Sequence, residues 1–507
     1  MTDNTDSAST PPGLAALEQR LREDLERLCL PADDWLHRST DDPTLDVAIV
    51  GGGMSGLATA AALKLLGIRR IRVFDRNPAG RAGPWMTHAR MQTLRSPKHL
   101  VGPAMGLPSL TFRAWHEAVF GKAAWDRLDR IPRPQWQDYL DWYQAVLALP
   151  VTSDTRVIDI AGETLPDGTP GVAFETVESG RYRARHLVLA TGMDGLGGPA
   201  IPRIADALPR SRWQHSSEQI DFHAWRGRRI GIIGGGDSAL DAAACALEAG
   251  AREVRVFIRR PDFSRINYWK AFTHPGHYHG FPALTPAERQ PMLDFLKRQQ
   301  VPPARGTLRR LAGHPDLALH FDSPVTALAG AADGPIVLST PRDTHSLDHL
   351  ILATGYRSAP DVRPELASLA AHIRFWSHRD PPHRSGFALD GFPETAADFS
   401  LIERIPGACP VLGRIHLFTG AALMSQGKVT GDIPGIGHGA ERLARGIAAR
   451  LYADDFEQQL ADLKAYDERE IEGHEYAHLR ALPSPSERSG KAQHLSRLES
   501  ASAQEVH

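Results

Sequence analysis

Two glycine-rich segments of the chain have the spacing that brings backbone amides against phosphate groups. The first, residues 51–56, follows the apolar run 45–50, and the second, residues 234–239, follows the apolar run 229–233. A helical stretch comes after each of them. In such a strand–loop–helix unit the glycines let the backbone approach a pyrophosphate, and the helix N-terminus offers it free N–H groups. Two of these loops predict two dinucleotide sites, as in an enzyme that moves electrons from one bound dinucleotide to another.

The first loop has the features of a site for FAD or NAD. Gly51 allows the tight turn, Gly53 the approach of the pyrophosphate, and Gly56 the packing of helix on strand. The next strand, residues 70–74, is followed by Asp75. A carboxylate at that place accepts hydrogen bonds from both hydroxyls of an adenosine ribose and repels a 2′-phosphate, which argues against NADP.

The second loop differs from the first at its third glycine and after its second strand. Ala239 replaces the glycine, a change that the fingerprint tolerates. The strand 254–258 is followed by Arg259 and Arg260, where the first unit has Asp75. Two guanidinium groups suit the 2′-phosphate of NADP through charge-assisted contacts, although a solvated basic strand end is the alternative. The loop therefore predicts a preference for NADPH over NADH.

The chemistry of the two cofactors predicts which loop each one occupies. A nicotinamide cofactor leaves after each turnover, whereas FAD stays. The glycine-rich segment 431–439 leads into a helix on the first domain. The N–H groups and the dipole at the start of such a helix can stabilise negative charge on reduced flavin. FAD is therefore predicted at the first loop. The predicted FAD contacts are Gly51, Gly53, Ser55, Gly56, Asp75, Arg76 and Asp432. The predicted NADPH contacts are Gly234, Gly236, Asp237, Ser238, Arg259 and Arg260.

Two nearly identical apolar strands, H-L-[VI]-L-A-T-G at residues 186–192 and 349–355, suggest how the domains are arranged. Such a strand before each passage of the chain from one domain to the other indicates that one domain is inserted in the other. The predicted fold class is α/β, with two nested Rossmann-like dinucleotide-binding domains, an FAD domain and an inserted NADPH domain. The predicted segments are 1–44 (helical leader), 45–204 (FAD domain, first part), 205–345 (NADPH domain), 346–455 (FAD domain, second part) and 456–507 (helical and polar tail). Helical spacing also predicts helices over 13–28 and 136–149.

The composition of the chain argues against several classes of protein. A length of 507 residues suits two or three domains, and a net charge of -2 gives no reason to expect a nucleic-acid or membrane partner. No apolar run approaches the roughly 20 residues that span a bilayer. The three cysteines, Cys29, Cys245 and Cys409, are far apart and form no C-x-x-C. That pattern argues against a disulfide framework, a cysteine-based zinc site and a dithiol reductase, and a cytoplasmic location is expected.

Three histidines, His274, His277 and His279, form a cluster that invites a metal-site interpretation. We expect Pro275 and Gly276 to break any helix that would align them. No metal is therefore predicted, and a loop near the active site is the preferred interpretation.

The two loops, the two A-T-G strand ends and the Tyr356 that follows the second one resemble the class B flavoprotein monooxygenases. This group contains flavin-containing monooxygenases, Baeyer–Villiger monooxygenases and microbial N-hydroxylases, and the resemblance covers about residues 45–450. The segment 83–85 stands where the family often has Gly-Gly-x-Trp beside the isoalloxazine ring, which adds Trp85 to the FAD contacts. Pro209 and Ser211 depart from the family's fingerprint, which has Phe and Gly there.

The resemblance implies a reaction. NADPH reduces FAD, O2 then forms a C4a-(hydro)peroxyflavin, and one oxygen atom passes to a small-molecule substrate. We favour a Baeyer–Villiger-type oxidation, with N-hydroxylation of an amine or amino acid as the alternative. An NADPH oxidoreductase without oxygenation and a non-catalytic redox sensor are further alternatives. Members of the family are often homo-oligomers.

Two residues are candidates for catalysis under this resemblance. Arg95 lies in a segment expected over the flavin, where a cation could stabilise the peroxide or hold an anionic substrate; an ordinary surface or FAD-phosphate contact is the alternative. His215 lies in a region similar to the family's His-Ser segment and is a candidate for a domain hinge or an NADP contact, or else a buried interface histidine. The aromatic-rich stretch 263–281 suits a substrate or nicotinamide pocket, or packing against the first domain.

Overall fold

The computed structural model describes residues 12–37, 42–193, 195, 197–379 and 391–479. The α-helices are α1 (Pro12–Arg27), α2 (Met54–Leu65), α3 (Phe112–Phe120), α4 (Lys122–Arg127), α5 (Arg133–Val146), α6 (Asp237–Glu248), α7 (Pro275–Gly280), α8 (Pro286–Gln299), α9 (Arg305–Leu311), α10 (Leu423–Gln426), α11 (Ile436–Asp454) and α12 (Phe456–Ala465). The strands are β1 (Leu45–Val50), β2 (Ile71–Phe74), β3 (Val151–Thr152), β4 (Val157–Thr164), β5 (Pro170–Thr176), β6 (Gly180–Leu189), β7 (Gly197–Pro199), β8 (Trp213–His215), β9 (Arg229–Ile233), β10 (Glu253–Phe257), β11 (Leu317–His320), β12 (Ala327–Ala329), β13 (Ile336–Ser339), β14 (Thr344–Leu347), β15 (His349–Leu352), β16 (Tyr356–Ser358) and β17 (Ile415–Leu417). Contacts divide the chain into Met1–Asp454 and Asp455–His507, and α12 belongs to the second unit.

The larger sheet has the strand order β3-β2-β1-β6-β5-β4, and β17 also pairs with β6. β1 runs parallel to β2 and β6, and its residues are buried from Asp46 onward. An apolar run without alternation is typical of a parallel strand that is covered on both faces. α2 packs against α11, and most of α2 is buried. This arrangement places the first glycine loop at the carboxyl edge of the sheet.

The smaller parallel sheet has the order β11-β10-β9-β15-β8. Its helix α6 buries alanines, including Ala239, Ala242 and Ala243, so the helix can lie close to β9. The chain leaves the larger sheet after β6 and returns to it at β17, which makes the smaller sheet an insertion. The predicted α/β fold with two nested Rossmann-like domains is confirmed.

The two chain crossings between the sheets pair with each other. β7 and β16 form a short antiparallel ribbon, in which a Cβ on Gly197 would lie 2.1 Å from the carbonyl oxygen of Arg357. The position therefore requires glycine. β15 pairs with β9 in the smaller sheet, although the predicted boundary at 345/346 assigns it to the FAD domain. The domain boundaries stay a prediction, and we propose that the return to the FAD domain begins after Leu352.

Several predicted elements are present, and others were missed. α1 matches the predicted helix 13–28 and buries Leu17 and Leu21, and α5 matches the helix predicted over 136–149. α8 was missed although the Thr285 to Glu288 capping box marks its start. The tail after residue 480 lies outside the described residues. No helix among the described residues is long and apolar enough to cross a membrane.

A buried pair of histidines joins β6 to β17. His186 Nδ1 lies 3.0 Å from His416 Nε2, and both rings are fully buried. His416 Nδ1 lies 2.8 Å from the carbonyl oxygen of Asp398, and Arg414 Nη1 lies 3.2 Å from His186 Nε2. The contacts fit one chain of hydrogen bonds in which Arg414 donates to His186, His186 to His416 and His416 to the carbonyl. This chain leaves no acceptor for a further proton. Burial lowers the pKa of both imidazoles, that of His416 to about 4.

We expect the free energy of unfolding to fall as the pH is lowered from about 6.5 to about 4. The unfolded chain protonates these histidines in that window while the folded chain does not, so acid favours the unfolded state. The shift at His416 corresponds to at most about 3 kcal/mol. Denaturant titrations at several pH values measure the slope, which should be shallower in His416→Asn than in the exposed control His223→Asn. Equal slopes in the two variants would contradict the assignment.

Candidate functional site

The first glycine loop, between β1 and α2, accepts no side chain at two positions. Gly51 has a φ of 107°, and a Cβ there would lie 2.5 Å from the carbonyl oxygen of Ala190, the alanine of the first A-T-G. A Cβ on Gly56 would lie 1.8 Å from the carbonyl oxygen of Gly51. The strand end after β6 therefore closes tightly on the loop, and the first turn of α2, with the buried Ser55, follows directly.

Asp75 is positioned at the mouth of this loop. It follows β2 and is buried, and its Oδ2 accepts the N–H of Gly52 at 2.6 Å. Its Oδ1 accepts the N–H of Asn77 at 2.8 Å. Arg76 beside it is exposed. The carboxylate is thus held at the place where the fingerprint puts the adenosine ribose.

Residues 83–85 cross the same loop and provide a test of whether FAD fits. A Cβ on Gly53 would lie 3.3 Å from Gly83 Cα, so the two backbones touch. The Trp85 ring packs edge-on against Trp136 at 6.2 Å, and its buried Nε1 has no hydrogen-bond partner among the described residues. A buried indole N–H without a protein acceptor calls for an external one. A flavin nucleotide, with its many acceptor atoms, fits this place.

The turn before α11 brings a second set of groups together. Asp432 Oδ2 lies 3.1 Å from Lys428 Nζ, and burial raises the pKa of the Asp432 carboxyl while Lys428 opposes that rise. Lys428 Nζ also lies 5.6 Å from the centre of the Trp269 ring. A cation, a carboxyl group and a half-buried aromatic face therefore lie side by side. Asp432 was predicted from the sequence and Lys428 was not, although the spacing of four residues between them could have indicated an ion pair.

The aromatic stretch 263–281 packs in part against the first domain. Tyr278 stacks on His438 with ring centres 4.8 Å apart, and Arg442 donates to the Tyr278 carbonyl oxygen. Phe281 is buried beside Met424. Packing therefore accounts for Tyr278 and Phe281, whereas Trp269 packs against the cluster of Phe281 and also faces Lys428.

The expectation that Pro275 and Gly276 break a helix at the three histidines was wrong. α7 begins at Pro275, because proline at the first helical position has no N–H that the helix needs. His274 Nδ1 accepts the N–H of His277, and His277 Nε2 accepts the N–H of Lys428. Burial lowers the pKa of His277 to about 4, which suits a neutral acceptor. The ring of His279 instead lies edge-on to His438.

The second glycine loop, between β9 and α6, repeats the geometry of the first. Gly234 has a φ of 138°, and a Cβ there would lie 2.4 Å from the carbonyl oxygen of Ala353, the alanine of the second A-T-G. A Cβ on Gly236 would meet nothing within 4 Å, so space for a phosphate is open above it. Asp237 begins α6, and Ser238 is exposed in its first turn.

Arg95 pairs with two carboxylates of the helix that follows the second loop instead of presenting an isolated charge. Its Nε lies 2.8 Å from Asp237 Oδ2 and its Nη2 lies 2.7 Å from Asp241 Oδ2. Burial raises the pKa of Asp237, and Arg95 opposes the rise. Asp237 also accepts the N–H of Ala304 at 3.0 Å. The catalytic role of Arg95 and the NADPH contact of Asp237 stay predictions, and Asp241 is a site residue that sequence reasoning missed.

His215 ends β8 and lies beside the second chain crossing. Its ring is fully buried, and its Nδ1 accepts the N–H of Ser217 at 3.1 Å. The ring lies edge-on to Tyr356 in β16 with centres 5.9 Å apart. Burial lowers the pKa of the imidazole, so the neutral form is favoured. This location is compatible with the hinge interpretation, which stays a prediction.

Arg259 and Arg260 follow β10, and Arg260 lines a cavity. Arg259 is exposed, and Arg260 Nη1 donates to the carbonyl oxygen of Arg298 at 3.2 Å. The cavity has a volume of about 480 Å³, and its lining includes Arg260, Arg265 and Tyr268. The positive lining suits a 2′-phosphate by charge.

We expect Arg259→Ala combined with Arg260→Ala to raise the KM for NADPH about 10- to 100-fold, because charge-assisted contacts to the 2′-phosphate are lost. The KM for NADH should stay within about twofold. Steady-state oxidation of both nucleotides measures the effect, and the exposed pair Arg252→Ala with Arg309→Ala is the matched control. An unchanged KM for NADPH would refute the assignment of these two arginines.

Comparisons with known proteins agree with this geometry. The family model described as pyridine nucleotide-disulphide oxidoreductase matches residues 48–275, which contain both loops. A FAD-dependent urate hydroxylase of Xanthomonas campestris pv. campestris is 39% identical over 467 residues, covering 91% of this chain and 98% of the relative. The chain belongs to the class B flavoprotein monooxygenases. The three cysteines of this monooxygenase, Cys29, Cys245 and Cys409, form no disulfide.

Solved structures share the fold of this monooxygenase. L-lysine 6-monooxygenase from Pseudomonas syringae matches with a TM-score of 0.63 and 22% identity, over 80% of this chain and 99% of the other. The ornithine N-hydroxylase of Kutzneria sp. 744, solved with reduced FAD, NADP+ and L-ornithine, matches with a TM-score of 0.62 and 19% identity, over 80% and 100%. The assignment as a flavin-dependent monooxygenase is confirmed, and the predicted cofactors, FAD and NADPH, agree with the name of the FAD-dependent relative and with the NADP+ bound in the ornithine N-hydroxylase.

Proposed function

We propose that this monooxygenase hydroxylates urate or a closely related oxidised purine, with NADPH and O2 as co-substrates. The observation that carries the proposal is the likeness to a urate hydroxylase over nearly the whole of both chains. A relationship of that extent includes the segments that line the flavin site as well as the cofactor loops.

The groups around Lys428 support such a substrate. Urate is a planar, electron-rich ring that is anionic at neutral pH, and it needs a cation and a flat apolar face. Lys428 supplies the cation, and Trp269 supplies an indole face 5.6 Å from its Nζ. Asp432, whose pKa is raised by burial, lies within 3.1 Å of the same Nζ and can hold a proton near the ring.

The reaction balances with these partners. Bound FAD, reduced by NADPH, supplies one activated oxygen atom from O2. A nucleophilic ring carbon takes that atom as a hydroxyl group while a ring N–H gives up its proton. The second oxygen atom leaves as water, formed with the hydride of NADPH and one further proton. Lys428 holds the anionic ring, Trp269 orients it, and the buried side chains of His277, Tyr278 and Phe281 exclude water.

The test measures products with isotopically labelled O2. The holoenzyme is mixed with NADPH and either urate, xanthine, a panel of cyclic ketones, or lysine and ornithine. Urate should accelerate NADPH oxidation, and its product should carry one labelled oxygen atom. A labelled ester from a ketone would instead establish the Baeyer–Villiger reaction, and a hydroxylamine would establish N-hydroxylation. Stoichiometric peroxide with no labelled product would overturn oxygenation.

A variant of Lys428 tests the proposed pocket. Lys428→Gln should raise the KM for urate about tenfold or more, because the substrate loses its cation, while FAD reduction by NADPH stays near the unmodified rate even though Asp432 loses its ion-pair partner. Lys122→Gln, which removes an exposed cation paired with Asp126, is the matched control. An unchanged KM for urate in Lys428→Gln would remove Lys428 from the pocket without affecting the choice of substrate.

A further inference from the structure

The segment that follows Trp85 is fixed to the FAD-binding part of the molecule. The N–H of Leu94 donates to the carbonyl oxygen of Ile131 at 2.8 Å, and the N–H of Arg133 donates to the carbonyl oxygen of Gln92 at 3.0 Å. Leu94 is buried, and Arg130 donates to the Arg95 carbonyl oxygen. These contacts hold the backbone of 90–95 against the start of α5, beside the segment that crosses the first glycine loop.

Two guanidinium groups of this segment reach the smaller sheet. Arg90 donates to the carbonyl oxygens of Ser216 at 2.5 Å and Glu218 at 2.6 Å. Arg95 forms the two ion pairs with Asp237 and Asp241. Arg90 therefore contacts the turn after β8, and Arg95 contacts α6. We call this pair of side chains the 90–95 clasp.

The acceptors on α6 are themselves held in place. Asp237 and Asp241 are four residues apart and share one face of the helix. The side chain of Asp241 is 3% exposed, and Thr307 Oγ1 donates to it at 2.7 Å. Arg310 Nη1 lies 3.7 Å from the same carboxylate. If Arg95 is displaced, the buried carboxylate of Asp241 must therefore shift or lose one of its ion pairs.

The placement of these carboxylates explains why an arginine is needed. Asp237 directly follows Gly236, whose open face is the predicted seat of the pyrophosphate. A carboxylate in the first turn of that helix would repel a phosphate, and Asp241 adds a second negative charge one turn later. Arg95 pairs with both carboxylates from the flavin side and offsets one of their two negative charges, so a single side chain lowers the repulsion and joins the two cofactor regions.

We propose that the 90–95 clasp holds the NADPH loop against the flavin site and that Arg95 is a positioning residue for hydride transfer. The proposal concerns the reductive half of the reaction, and it does not depend on which substrate receives the oxygen. Arg95 acts through Asp237 and Asp241, on the position and charge of the second glycine loop.

Transient kinetics without any oxygenation substrate test the proposal. In Arg95→Gln we expect FAD reduction by NADPH to slow about tenfold or more and the apparent Kd for NADPH to rise about tenfold. Enzyme reduced by dithionite and mixed with O2 should reoxidise at the unmodified rate. Arg113→Gln, which breaks the exposed ion pair with Glu117, is the matched control and should change neither half-reaction.

Two further variants keep the test decisive if Arg95→Gln folds poorly. Asp241→Asn removes one of the two ion pairs with little change in shape and should slow NADPH-dependent reduction alone. Arg95→Asp combined with Asp241→Arg restores an ion pair of opposite orientation and should recover part of the rate. A slower reaction of dithionite-reduced enzyme with O2 in Arg95→Gln would show that the guanidinium acts on the oxygen step and would overturn the proposal. Unchanged reduction by NADPH in both single variants would overturn it as well.

Discussion

Gly51→Ala is expected to yield protein with less than about a tenth of the normal FAD content. The φ of 107° disfavours any residue with a Cβ, and the added atom would lie 2.5 Å from the Ala190 carbonyl oxygen. The loop must therefore move away from the A-T-G strand end, and the backbone amides lose their alignment on the pyrophosphate. Absorbance of the bound flavin relative to protein, after desalting, measures the loss.

Gly168→Ala is the matched control for this substitution. Gly168 has a φ of 85°, and a Cβ there would meet nothing within 4 Å, so the change imposes backbone strain alone. It should lower the melting temperature slightly and leave the FAD content intact. If Gly51→Ala retains full FAD, the first loop does not hold the flavin pyrophosphate and the cofactor assignment must be revised.

Gly234→Ala should separate the two cofactors. A Cβ there would lie 2.4 Å from the Ala353 carbonyl oxygen at a φ of 138°, so the second loop is distorted while the first is untouched. We expect normal FAD content and a fall in kcat/KM for NADPH of about 100-fold. Loss of a few aligned phosphate contacts is enough for a change of that size, because each tenfold step needs only about 1.4 kcal/mol.

The control for the second loop is Gly334→Ala. Gly334 has a φ of 113° and open space around its Cβ position, so only backbone strain is added. Flavin absorbance and steady-state NADPH oxidation are measured on both variants. FAD loss in Gly234→Ala would mean that the two loops do not act as separate sites, whereas an unchanged kcat/KM would place NADPH elsewhere.

Local patterns predicted most of the fold because they describe local geometry. The glycine spacing, the apolar strands and the acidic or basic residue after each second strand all lie within about 30 residues of each loop. These patterns identified both βαβ units, the insertion and the two cofactors. α7 shows the limit of such reasoning, since Pro275 was interpreted as a helix breaker although proline at the first helical position is well tolerated.

The candidate site depended more on contacts that are distant in the sequence. Arg95 lies 146 residues from Asp241, and Lys428 lies 151 residues from His277. No periodicity connects residues so far apart, so the sequence suggested a free cation over the flavin, where the structure has a guanidinium bound by two carboxylates. The sequence likewise left Trp269 between a pocket and packing, and the structure shows it packed beside Phe281 with Lys428 facing its ring.

The sequence by itself determined that the chain has two unequal dinucleotide loops, because a glycine turn and the charge that follows its second strand are properties of short segments. Only the tertiary structure decided how the loops are closed and which charges face them. The carbonyl oxygens of Ala190 and Ala353 exclude a side chain from each loop, and Arg95 pairs with two carboxylates of the helix that follows the second loop. Such contacts form only after the sheets have folded and brought distant segments within hydrogen-bond distance.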